Sequence, residues 1–134
     1  METRRDGAQL IGWSEPASPS VGIQGPPLGV DVPALVEWWL DRAREEAHLT
    51  VPKAIEYGSA ELVEAGRTLA RLMDHGEVTA GFAMEHQIYQ YVVGKMGRWT
   101  AAMSRGEPVS DDTIFDIKVY CTMVQRIRST GMWP

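Results

Sequence analysis

The chain has 134 residues, 44% hydrophobic and 23% charged, with a formal net charge of -5; this is the length and balance of one ordinary globular domain able to bury a core. The acidic balance argues against long nucleic acid as a partner, since phosphate backbones want a basic surface, but leaves a nucleotide open because a metal can neutralise it locally. Cys121 is the single cysteine, so no internal disulfide can form and a reducing, cytoplasmic setting is expected; no run approaches the roughly 20 apolar residues of a membrane span, so no membrane partner is expected.

Residues 1–30 hold SEPASPSVGIQGPPLG, rich in Pro, Gly and Ser and without helical or alternating pattern. Such a composition does not offset its own ordering entropy. Two readings stand: a tail, or an irregular arm anchored by Leu10, Ile11 and Trp13. A tryptophan flanked by aliphatics favours the arm. The opening METRRDGAQLIGW lacks the long apolar region of a secretory signal.

A helical bundle domain is expected over 31–134. In DVPALVEWWLDRAREEAHL, Asp31 takes the N-cap position and Pro33 falls in the first turn, both start signals. Leu35, Trp39, Ala43 and Ala47 recur at intervals of four beside Val36 and Leu40, a broad apolar face. TVPKAIEYGS is expected to break this helix. Ser59 can cap a second helix over about 60–74, with Leu62, Ala65, Leu69, Leu72 and Met73 as its apolar set and Gly76 suited to its end. Thr79 opens the longest helix, about 79–104, whose stripe of Phe82, Glu85, Tyr89, Val92, Met96, Trp99 and Met103 is expected to be the central core seam. After the loop RGEPVS, Ser110 or Asp111 caps a last helix to about Ser129. Four antiparallel helices with short connections make an all-α four-helix bundle.

Chemistry concentrates in the last two helices. Asp112, Asp116 and Tyr120 stack on one face, and carboxylates four apart repel by a few tenths of a kcal/mol. Asp112 is comfortable near the positive helix N-terminus; Asp116, a turn further in, needs a cation. That cation is a metal ion or a basic side chain from another helix. Glu85 stands where the stripe wants a hydrophobe, so it is either paired or metal-bound, or its tip reaches water at the stripe's end. Glu61 and Glu64 suit the start of the second helix whatever their function. Taken together, Glu61, Glu64, Glu85, Asp112 and Asp116 come from three helices, and hard oxygen donors converging in a bundle are what Mg²⁺ requires. Lys95 and Arg98 in GKMGRW share a face; they either receive a phosphate or neutralise Asp112 and Asp116. Gly94 and Gly97 beside them signal close helix contact or ligand approach. Cys121 falls on an apolar helical position and reads as core. His48, His75 and His86 have no metal-ligand spacing and take no role.

The order EYGSAELVEAGRTLA, GKMGRW, SDDTIFDIKVY resembles small phage-encoded proteins related to the MazG-like all-α nucleotide pyrophosphohydrolases, over about residues 53–126. The shared elements are the turn at Tyr57-Gly58, the pair Lys95 and Arg98, and the run Asp112, Asp116, Tyr120. The resemblance implies a MazG-like fold and Mg²⁺-dependent cleavage of a nucleoside triphosphate to monophosphate and pyrophosphate. It casts Glu61 and Glu64 as the E-x-x-E pair and Glu61, Glu64, Glu85, Asp112 and Asp116 as metal ligands, with Lys95 and Arg98 offsetting charge on the transferred group. It also implies action in the host-cell cytoplasm. The family's second pair, E-x-x-D, has no match: Glu85 is followed by Ile88, and Asp112 and Asp116 are four apart. That departure bears on catalysis, because the metal geometry depends on both pairs. An apolar extra helix and an arm have surface to bury against a copy, so a homo-oligomer is expected. The alternative from another class is a non-catalytic phage helical protein acting by protein–protein interaction or assembly, its charged side chains forming structural ion pairs.

Overall fold

The computed structural model describes residue 25 and residues 28–134. The expected anchors Leu10, Ile11 and Trp13 lie outside the described residues. By its contacts the chain divides into two units, Met1–Asp41 and Arg42–Pro134. Among the described residues there are four helices and no strand.

In the first unit, helix α1 (Val32–Tyr57) begins where the sequence places it. The Asp31 carboxylate accepts a hydrogen bond from the Ala34 N–H at 3.1 Å, satisfying one of the orphan donors of the first turn. The apolar residues Leu35, Val36, Trp39 and Leu40 are all exposed. Trp38 and Trp39 meet edge to face, their ring centroids 5.5 Å apart.

The expected break at TVPKAIEYGS does not occur, because α1 continues through Pro52 to Tyr57. An interior proline forfeits one ladder bond, at a cost of about 3 kcal/mol. The helix resumes beyond it and ends at Gly58, whose φ of +62° suits glycine best. In the second unit the later turns of α1 bury Glu46 and Ala54.

The rest of that unit is α2 (Ala60–Leu72), α3 (Ala80–Ser104) and α4 (Asp111–Thr130), with α2 packed on α3 and α3 on α4. Ser59 stands at the N-cap of α2 but its side chain caps nothing. At the other end Asp74 takes the left-handed position that closes the helix, with φ +59°, and Gly76 in the turn that follows is left-handed too, with φ +70°. The His75 N–H then reaches the Ala70 carbonyl at 2.9 Å and the Asp74 N–H reaches that of Arg71 at 3.1 Å, the paired bonds that close a helix C-terminus. Thr79 caps α3 by accepting from the Phe82 N–H at 3.1 Å. Ser110 caps α4, accepting from the Thr113 N–H at 3.3 Å.

The core seam of α3 is not the expected one. Phe82, Tyr89, Met96 and Met103 are exposed, while Ala83, Met84, Ile88 and Ala102 are buried. Met84, Ile88 and Ile127 form the centre, flanked by Leu62, Val63, Val92, Tyr120, Met123 and Val124. The helix is rotated because α2 approaches it very closely. A Cβ on Gly66 would lie 1.8 Å from the Ala83 carbonyl oxygen, so the backbones touch where only glycine and alanine leave room. Cys121, expected in the core, is exposed; α4 turns Thr113, Tyr120 and Ile127 inward instead.

Candidate functional site

Residues 90, 91, 94, 95 and 98 lie on two successive turns of α3, and Tyr120 of α4 faces them. Together Gln90, Tyr91, Gly94, Lys95, Arg98 and Tyr120 line a cleft of about 370 Å³, at the small end of the range for small-molecule sites.

One wall is ionic. The Lys95 ammonium donates to the Asp116 carboxylate at 2.5 Å. The Lys95 side chain is 19% exposed and that of Asp116 38%, so the pair is only partly shielded from solvent screening. Asp116 thus has the cation its neighbour Asp112 made necessary, and it is a lysine from another helix. Arg98, a turn beyond Lys95 and exposed, has no ion-pair partner among the described residues. The other wall is aromatic. The rings of Tyr91 and Tyr120 lie 5.4 Å apart at a tilt of 34°. Burial pushes the Tyr120 phenol above its ordinary pKa, the Asp116 charge adds to this, and Lys95 opposes it. Gly94 leaves the backbone open, with nothing within 4 Å of where a Cβ would be, and the same holds at Gly97. The close helix contact these two glycines signalled lies at Gly66.

The five carboxylates expected to bind metal are not gathered. Glu61 and Glu64 are exposed, because α2 turns Leu62, Val63, Gly66 and Ala70 toward its neighbours. Asp112 is exposed in the first turn of α4. Glu85 is held by Arg128 of α4, whose Nε donates to Oε2 at 3.1 Å and whose Nη2 donates to Oε1. That bidentate grip holds the Glu85 carboxyl below its usual pKa, chiefly by its hydrogen bonds, against an opposing pull from burial, with the Arg128 charge adding a lesser lowering. Asp116 is held by Lys95. Among the described residues no three His, Cys, Asp or Glu side chains stand close enough to hold a metal ion. Mg²⁺ takes several oxygen donors at once, and the described carboxylates stand apart rather than at one point.

Sequence reasoning missed three participants. Glu46 is buried and meets Lys118 at 3.0 Å; its place on the apolar face of α1 was the available signal. Arg128 had no local signal, since its partner is 43 positions away. Tyr91 was passed over because it lies off the expected stripe. His75, Phe82 and His86 gather into a ring cluster, with the Phe82 and His86 centroids 5.9 Å apart. No described helix is long and apolar enough to cross a membrane. Comparison with protein-family models, with curated proteins and with solved structures finds no match to this chain.

Proposed function

We propose that this is a non-catalytic helical protein that works by association, and that its first partner is a second copy of itself through α1. One observation carries this reading: the apolar face of the first turns of α1 stands in solvent, with Trp39 61% and Leu35 48% exposed. Exposed apolar surface of that kind marks an interaction site. The small core supports the same reading, since among the described residues four of the seven buried hydrophobic ones are alanines, and little hydrophobic stabilisation comes from so few large side chains. The partner is a copy because a two-fold contact brings the same patch from both subunits together, so one exposed apolar face can cover itself. Sedimentation over a concentration series tests this. The native chain is expected to dimerise or assemble further, and Trp39→Glu to shift it toward monomer with its helicity unchanged. A chain that stays monomeric at the highest attainable concentration removes the reading.

A second reading is favoured by one feature, the cleft at Lys95 and Arg98. The likeness to MazG-like pyrophosphohydrolases supplies nucleotide as the ligand class, and a cationic, tyrosine-lined cleft is in keeping with it. The carboxylates held by Arg128 and Lys95 support binding without turnover. A nucleotide panel with and without Mg²⁺, read by thermal shift and by pyrophosphate release, tests both parts. Pyrophosphate release lost in Glu64→Gln would restore the hydrolase.

A further inference from the structure

We propose that the cleft between α3 and α4 takes a planar aromatic ligand bearing one negative charge, a carboxylate or a singly charged phosphodiester, and discriminates against triphosphates. This rests on the reading of the cleft as a ligand site and narrows it by charge.

Three cleft features set the ligand chemistry. Lys95 is spent on Asp116 at 2.5 Å, so that pair contributes no net charge. Arg98 is the cleft residue left with a whole unbalanced charge, and its planar fork matches a carboxylate or phosphodiester in two parallel hydrogen bonds. The cleft therefore presents close to one positive charge. A nucleoside triphosphate would bring several negative charges to one cation on a protein whose net charge is already -5. Uncompensated like charge at a few ångströms disfavours binding. Nor does a carboxylate cluster stand ready to supply a bridging metal among the described residues.

Shape and polarity complete the description. Tyr91 is tilted against Tyr120 and stays 42% exposed, which offers aromatic surface to a flat ligand. Gly94 leaves the backbone bare on the cleft lining, with open space where a side chain would stand. The Gln90 amide, also on the lining, offers a donor and an acceptor to a heteroaromatic edge. A volume of about 370 Å³ suits a molecule of one or two rings.

The test is isothermal titration at low ionic strength, where a single exposed arginine is least screened. The probes are 3′,5′-cyclic AMP as phosphodiester, orotate as aromatic carboxylate, and ATP without metal. At least one monoanion is expected to bind, and ATP to bind at least tenfold more weakly. Arg98→Gln should weaken the monoanion at least tenfold. Gly94→Leu fills the cleft from a position with open space around it; it should abolish binding while leaving the melting temperature unchanged or higher, since leucine is the better helix former. The two probe types separate the two sources of the anionic group. Tighter binding of ATP would overturn the charge selection and leave a nucleotide site standing. No binding by any probe would overturn both the selection and the ligand site. Binding unaffected by Arg98→Gln and Gly94→Leu would place the ligand elsewhere and overturn the assignment.

Discussion

Three glycines on the helices of the second unit make opposite forecasts for the same substitution. In Gly66→Ala the new methyl would lie 1.8 Å from the Ala83 carbonyl oxygen and 2.8 Å from its Cα, against a floor of 3.0 Å for real Cβ contacts. The obstacle is backbone, which cannot rotate aside, so α2 and α3 must separate by more than about 1 Å and loosen the packing beneath them. That packing is the buried trio of Ala70, Ala83 and Met84, each fully enclosed. Overpacking a core by one methyl costs typically 1–3 kcal/mol, and a rigid obstacle places this case at about 3. Alanine returns about 1 kcal/mol as the better helix former, leaving a net loss of about 2.

Gly94→Ala and Gly97→Ala lack the obstacle, since nothing lies within 4 Å of either new methyl. Only the propensity gain remains, about 0.5–1 kcal/mol of stabilisation each. Urea denaturation followed by circular dichroism reads all three variants. Gly66→Ala should lower the midpoint at unchanged slope, with a melting temperature down by roughly 8 °C, while the other two raise it. A Gly66→Ala protein as stable as Gly94→Ala would refute the close approach of α2 to α3, and with it the rotation of α3 away from its most hydrophobic stripe.

The α3 phase itself is testable: Ile88→Ala should cost about 2–5 kcal/mol as a core truncation, and the exposed Tyr89→Ala within about 0.5, with the reverse order in thermal melts restoring the stripe through Tyr89. Asp116→Ala leaves Lys95 without its partner and should cost about 1 kcal/mol, held down by the partial exposure of the pair; a double-mutant cycle with Lys95→Met showing no coupling would contradict the ion pair. Because Glu85 titrates below the ordinary carboxylate value, its contribution is present above about pH 4.3 and lost as acid protonates it, so Arg128→Gln should flatten the acid limb of the stability curve. Tyr120 is shifted the other way: its contribution is whole below about pH 10 and lost as pH rises through its higher native value, so Tyr120→Phe should flatten the alkaline limb, as read by melting temperature.

Helix starts were legible because they are local. Asp31, Thr79 and Ser110 each precede an apolar run, and each accepts a hydrogen bond from an N–H three positions on. The continuation through Pro52 was not legible, since a proline's local cost says nothing about the burial of Ala54 two residues later. Nor was the phase of α3. Both the expected stripe and the observed seam pass through Val92, and the choice between them lies in another helix. The small residues Gly66 and Ala70 admit close approach opposite Ala83, and their contact outweighs the larger Phe82, Tyr89 and Met96, which face away.

The site divides along the same line between local and distant causes. Asp116 announced its need for a cation through Asp112, four residues before it, and Lys95 answers that need. The same rule, that a carboxylate on an apolar face requires a counter-charge, applied equally to Glu85 and to the overlooked Glu46. In both cases the cation comes from α4, as Arg128 and as Lys118. The last helix thus gives a carboxylate to α3 at one point, a guanidinium to it at another, and an ammonium to α1 between them. Arranged so, the charges choose among ways of packing a largely alanine core that apolar contact alone would leave nearly equivalent. Of the five carboxylates that read as a metal site in one dimension, Glu85 and Asp116 become helix-to-helix clamps in three, while Glu61, Glu64 and Asp112 stay exposed. Arg98 is the cleft cation that stands outside any such clamp among the described residues.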